Sequence, residues 1–251
     1  MRADGSGDKG RVAGLLRSLQ MMGGLALPPR CAGGGTIVGD DHRFCGACWS
    51  GMRFLAPPWC AGCNRPFDYH RGEDARCAVC IADPPPHAGV FAAVAYDDVS
   101  RRLALDLKYG RRVGLGETMA RYMERLVPDE VDLMVPVPLH RWRLWSRGFN
   151  QSVVIGAALA KAKRLPFDRA ALIRTRATPS LRGRGQAARA RAVRGAFAVP
   201  DCAPVAGRRI ALIDDIYTTG ATAKAATAVL LRAGAASVAI LCWARVLGDD
   251  D

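Results

Sequence analysis

Ile210-Ala211-Leu212-Ile213-Asp214-Asp215-Ile216-Tyr217-Thr218-Thr219-Gly220-Ala221-Thr222 is the stretch on which the fold turns. An apolar run of this kind is a strand buried on both faces; the acids follow it, and the Thr/Gly turn opens a helix. In open α/β sheets, ligands sit beyond the carboxyl ends of the strands, so Asp214 and Asp215 would meet a ligand there as acceptors for a ribose diol. The turn adds a phosphate cradle: backbone N–H groups, the hydroxyls of Thr218, Thr219 and Thr222, close approach at Gly220 and Ala221, and a helix N-terminus. One loop could thus hold a ribose 5-phosphate. The plainer alternative for two acids ahead of a helix is an N-terminal cap.

Outward from this stretch, apolar runs with strand character at 90–96, 131–137, 209–213 and 237–244 alternate with helical segments at 101–108, 117–126, 151–163 and 222–232. The expected fold class is therefore α/β, a parallel sheet with flanking helices. Between 178 and 195 neither period holds, and Pro179, Gly183, Gly185 and Gly195 interrupt a run of arginines, which predicts a long mobile loop.

Seven of the nine cysteines lie between Cys31 and Cys80. Cys60-x2-Cys63-x13-Cys77-x2-Cys80 has the paired spacing of a four-thiolate structural zinc site. Cys45-x2-Cys48 is a second knuckle, but its partner Cys31-Ala32-Gly33-Gly34 has glycine where a second thiol should be. Unless Asp40 or His42 supplies the missing donor, this incomplete site binds zinc weakly or not at all. Trp49, Phe54, Trp59, Phe67 and Tyr69 are interleaved through the module, as a small core or as a stacking platform for bases. Asp83-Pro84-Pro85-Pro86-His87 then makes a stiff boundary. The organisation expected is a tail with a short helix at 1–27, a double ribbon-like module at 28–83, a linker at 84–87, an α/β domain at 88–247 and an acidic tail at 248–251.

The 251 residues are half hydrophobic and 24% charged, a composition that folds rather than stays disordered. Net charge is +13, and the segment from Arg141 to Arg194 holds 12 arginines and 2 lysines against the single acid Asp168, the whole of that excess. Concentrated positive charge suits a polyanionic ligand, whether phosphate ester, pyrophosphate or nucleic acid, and by itself fits a solvated arginine-rich surface equally well. No stretch reaches the roughly 18 apolar residues of a membrane span, and Arg17 and Gln20 spoil a secretory signal, so the expected address is cytoplasmic.

The acidic-pair loop resembles the fingerprint of the type I phosphoribosyltransferases, which bind phosphoribosyl pyrophosphate (PRPP). Around it, the order of the double cysteine module, Lys108-Tyr109, Val135-Pro136-Val137-Pro138-Leu139 and Arg147-Gly148-Phe149-Asn150-Gln151 is similar to the ComF family of competence-associated proteins, over about residues 28–247. The resemblance implies a phosphoribosyltransferase-type domain behind a zinc ribbon, with PRPP or a related nucleotide phosphate as ligand and magnesium alongside it. It carries the ribose-diol role onto Asp214 and Asp215, the 5-phosphate role onto residues 218–222, and a pyrophosphate-side role onto Val137 and Pro138, with Arg147 as charge partner. It also implies pentosyl transfer with displacement of pyrophosphate, and single-stranded DNA or a protein of the competence machinery as partner. A non-catalytic nucleotide sensor associated with nucleic acid fits the same features. Gly34 departs from the family pattern, as do Leu181 and Ala192, which stand where the family's arginine loop has Gln and Asn. Thr218 stands where purine-salvage members have an acid, and threonine is no general base near neutral pH, so no proton-transfer residue is visible.

Overall fold

The computed structural model describes residues 28–110, 112–178 and 186–248. The tail helix expected within 1–27, the end of the acidic tail and the arginine-loop residues 179–185, Leu181 among them, lie outside these. The chain divides into two compact units, Met1–Trp49 and Ser50–Asp251.

In the second unit, four strands form one parallel sheet in the order β1-β6-β5-β2: β1 (Val90–Ala95), β2 (Leu133–Pro136), β5 (Arg209–Tyr217) and β6 (Ser237–Arg245). Two short strands, β3 (Ile173–Arg174) and β4 (Phe197–Ala198), pair antiparallel beside it. In the central strands, Ile210–Ile213 of β5 and Val238–Arg245 of β6 are continuously buried, as strands covered on both faces must be. Successive side chains point to opposite faces. Leu212, Ile240 and Cys242 face Ala223, Ala226 and Leu230 in one buried cluster. The alternate residues, among them Ala211, Ile213, Leu241 and Trp243, are equally buried. Trp243 leads this second set, donating its indole N–H to the Ser100 carbonyl at 3.3 Å and meeting the Tyr122 ring edge-on.

The helices are α1 (Gly46–Ser50), α2 (Ala78–Ala82), α3 (Asp98–Tyr109), α4 (Gly114–Met123), α5 (Arg141–Arg147), α6 (Gln151–Lys163), α7 (Gln186–Val193) and α8 (Ala221–Arg232). Helix α3 begins in a capping box, Asp97 accepting from the Ser100 N–H while the Ser100 hydroxyl accepts from the Asp97 N–H. Both edges of the sheet are covered by short pairings: residues 53–55 run antiparallel to β1, and residues 166–168 run parallel to β2. Edges so covered do not offer themselves to another chain.

Two expectations change. Part of the stretch read as a mobile loop is helix α7, because 186–193 is built of Gln, Ala and Arg, good helix formers once the glycines on either side are set aside. Strand β5 runs four residues beyond the expected 209–213, because β6 continues alongside and offers ladder partners as far as Tyr217↔Arg245. No helix among the described residues is long and apolar enough to cross a membrane.

Trp243 is fully buried. Trp243→Ala is expected to lower the stability of the fold by about 3–5 kcal/mol, read as a fall in the denaturant midpoint followed by circular dichroism.

Candidate functional site

Asp214 and Asp215 stand at the carboxyl end of β5, and the three residues after the strand turn the chain into α8. Gly220 makes that turn with φ +74°, and a Cβ there would run into the Tyr217 hydroxyl, so both conformation and space call for glycine. Asp214, Asp215, Thr218, Thr219 and Thr222 line one cleft of about 900 Å³, together with Val137 and Arg147. Gly220 and Ala221 line an adjoining small recess. Pro138 does not line the cleft, and both backbone groups of Val137 are engaged: its N–H donates to Ile213 O at 2.9 Å and its carbonyl accepts from Asn150 Nδ2 at 2.9 Å. Val137 thus lines the cleft with its N–H already donated and its carbonyl accepting one hydrogen bond.

Several residues at the site have no role assigned from the sequence, though Lys108 and Asn150 belong to motifs that carry the resemblance. Lys108, near the end of α3, pairs with Asp215 at 2.5 Å. Burial works against the lysine's charge, but Asp215 and the more distant Asp214 outweigh it and raise its pKa. Ser152 Oγ donates to Asp214 Oδ1 at 3.2 Å, and the Asp215 N–H donates to the same oxygen at 2.9 Å. Burial first, and the neighbouring Asp215 charge second, lift Asp214 to about 7. Asn150 holds this corner together: its side-chain oxygen caps α6 through the Ser152 N–H while its amide nitrogen clamps Val137.

Arg143, Arg147 and Arg174 line the same cleft. None is paired with a carboxylate among the described residues. Arg143 Nη2 donates to the Thr178 carbonyl at 2.9 Å, Arg174 Nη2 donates to Thr178 Oγ1, and Arg147 lies 5.2 Å from the centre of the Tyr109 ring. Burial, then repulsion from a neighbouring guanidinium, pushes Arg143 and Arg174 below their ordinary pKa. Desolvated cations without counter-charges suit an anion that accepts several hydrogen bonds. Only Arg147 of the three was singled out by motif; Arg143 and Arg174 were legible only as part of the basic segment.

The cleft also touches the complete cysteine knuckle, at Cys63, Cys77 and Cys80. The sulfurs of Cys60, Cys63, Cys77 and Cys80 are buried and lie within 4.8 Å of one another. Backbone N–H groups of Gly62 and Cys77 donate to Cys60 Sγ, which favours thiolate. Such a donor set fits tetrahedral zinc and supports a structural ion. Arg245, at the end of β6 and only 6% exposed, joins the knuckle to the loop: it donates to the Cys63 carbonyl at 2.7 Å and to Cys63 Sγ at 3.2 Å, and its guanidinium lies 5.4 Å from the Tyr217 ring centre. Cys31, Cys45 and Cys48 form a second cluster, three sulfurs within the same limit, which neither Asp40 nor His42 joins among the described residues.

Residues 23–84 match the double zinc ribbon domain family. The DNA utilization protein YhgH of Escherichia coli K12 is 31% identical over 199 residues, covering 75% of this chain and 84% of its own. Competence protein F of Haemophilus influenzae is 24% identical over 213 residues, covering 81% and 91%. A solved structure of glutamine PRPP amidotransferase from B. subtilis, complexed with ADP and GMP, matches 55% of this chain and 30% of its own at 20% identity, with a TM-score of 0.40. With its ribbon, its parallel sheet and this extent of identity, the chain belongs to the ComF family, that of YhgH and competence protein F.

Proposed function

We propose that the cleft binds PRPP, or a closely related ribose phosphate, and that the protein transfers the phosphoribosyl group in the handling of DNA taken up during competence. One observation carries this reading: an acid pair and a Thr/Gly turn face Arg143, Arg147 and Arg174 across a single cleft, none of the three paired with a carboxylate among the described residues and Arg143 and Arg174 partly desolvated. The two halves have the chemistry of the two halves of the ligand. Asp214 and Asp215 would accept from the ribose hydroxyls, the N–H and hydroxyl groups of 218–222 would hold the 5-phosphate, and Arg143, Arg147 and Arg174 would hold the pyrophosphate. Carboxylate oxygens are the donors magnesium prefers, and magnesium bound with the ligand would neutralise the pyrophosphate as it leaves. In the transfer, the C1–O bond to pyrophosphate breaks with its electron pair going to pyrophosphate. A nucleophile on the acceptor bonds to C1 and gives its proton to solvent.

In this reading Lys108 positions Asp215 through their ion pair, and Ser152 holds Asp214 in place. The double variant Asp214→Asn with Asp215→Asn is expected to weaken PRPP binding on the order of a hundredfold or more in calorimetry with magnesium, since each charged hydrogen bond contributes about 1.5–3 kcal/mol. Unchanged affinity in a folded variant would remove the ribose-diol assignment. Asp214 is protonated below about 7 and ionised above it, and the ionised form is the better acceptor. PRPP affinity should therefore rise between about pH 6 and about pH 8, and Asp214→Asn should flatten that rise.

A second reading, single-stranded DNA on the surface beside the cleft, is favoured by helix α5. Trp142 and Trp145 on this short helix are 63% and 82% exposed, and the Arg141 guanidinium lies 5.6 Å from the centre of the Trp142 ring. Exposed indoles among arginines are what bases stack on. Replacing both tryptophans by alanine should reduce affinity for an oligothymidylate by roughly 1–3 kcal/mol for each base stacked, measured by fluorescence anisotropy at fixed salt.

A further inference from the structure

We propose that Cys31, Cys45 and Cys48 hold a second zinc ion through three thiolates, with the fourth coordination position, beside Gly34, open to solvent and able to take an added thiolate. The two cysteine knuckles repeat one another bond for bond. Cys31 N–H donates to Thr36 O at 2.7 Å, as Cys60 N–H does to Arg65 O at 2.8 Å; Gly35 N–H donates to Cys31 O as Asn64 N–H does to Cys60 O, both at 2.9 Å. Val38 N–H reaches Pro29 O as Phe67 N–H reaches Pro58 O, and the bridge Arg30↔Ile37 repeats Trp59↔Pro66. Gly35 and Asn64, at matching positions, both have positive φ.

The correspondence extends to the sulfurs. The Cys45 N–H donates to Cys31 Sγ as the Cys77 N–H does to Cys60 Sγ, both at 3.2 Å, and a second knuckle N–H reaches each sulfur, from Gly34 at 3.3 Å and from Gly62 at 3.4 Å. Donors in this arrangement favour a thiolate, and three thiolates gathered this closely repel one another unless a cation lies between them. Among the described residues the three sulfurs lie within 4.8 Å of one another, and none of these cysteines is in a disulfide. Gly34 occupies the place of Cys63. A Cβ built on Gly34 would stand 3.3 Å from Cys48 Sγ and 3.5 Å from Cys45 Sγ, so this position faces the cluster, and Gly34 itself is exposed. The backbone of a four-ligand knuckle is thus kept around three ligands, with its open corner toward water. Three protein ligands and one exchangeable position is the pattern of zinc sites that bind something further. A soft metal with three thiolates takes a fourth soft donor most readily, which makes a thiolate the ligand class.

Full-length protein reconstituted with zinc without added thiol is expected to carry about two zinc ions per chain, one per cluster, and to release them to a chelator in a fast and a slow phase. Cys31→Ser should abolish the fast phase alone, and Gly34→Cys should slow it at least about tenfold, the scale on which ligand-shell changes move zinc binding. With cobalt(II) in place of zinc, β-mercaptoethanol should shift the d–d bands of the wild-type protein and leave those of Gly34→Cys unchanged. If Gly34→Cys does not fold, the thiol-induced shift and its loss in Cys31→Ser decide the matter. A single slow phase that Cys31→Ser leaves unaltered overturns the proposal. So does a four-sulfur cobalt spectrum without added thiol that accompanies dimerisation, since a second copy would then fill the open corner.

Discussion

The parallel ladder between β5 and β6 is the constraint from which the rest of the cleft follows. Its pairs run from Arg209↔Ser237 to Tyr217↔Arg245, well past the residues that fill the core. Because the ladder persists, Asp214 and Asp215 are held as strand residues with fixed directions instead of riding on a loop, and the loop itself shrinks to three residues. The last pair sets Tyr217 beside Arg245, so the residue that shapes the Gly220 turn lies next to the residue that grips Cys63. A four-sulfur cluster and a phosphate-type turn are thereby tied to adjacent strands of one rigid sheet.

Electrostatically the cleft is divided. One side carries two acids already engaged by Lys108, Ser152 and a backbone N–H; the other carries arginines that, among the described residues, are held by neutral groups such as the Thr178 carbonyl and by no carboxylate. Buried ions left without partners are costly, and cations buried together are costlier. On the proposed reading, an anion entering beside Arg143 and Arg174 would relieve that cost, and the gain would accrue to binding. The acids, by contrast, gain less from a ligand than their charge alone would suggest, because Lys108 must share Asp215 with it.

Much of this was legible in the sequence. The apolar runs placed all four strands of the sheet, and the acid-acid-Thr-Thr-Gly string placed the turn, because both signals are local. The cysteine spacings were legible for the same reason. Lys108 and Ser152 were not, since each meets its acid across a long stretch of chain; Ser152 is 62 residues from Asp214. Helix α7 was hidden by averaging: glycines and a proline on either side of 186–193 masked a segment whose own residues favour helix. The expected strand stops at 213 because propensity disfavours two acids in a strand, whereas the neighbouring strand supplies ladder partners that outweigh it.

The bond-for-bond repeat of the two knuckles gives one position two different tolerances to substitution. In the first knuckle, the residue at Gly34 faces solvent, and losing its sulfur leaves the backbone pattern in place. In the second, Cys63 is at once a metal ligand, the carbonyl partner of Val90 and Arg245, and the sulfur that accepts from Arg245. Glycine there would remove a sulfur from the four-thiolate cluster and the acceptor it offers Arg245, leaving that guanidinium the backbone carbonyl and the Tyr217 ring. Of two copies of one pattern, the one wired into the sheet has no freedom to drift at this position.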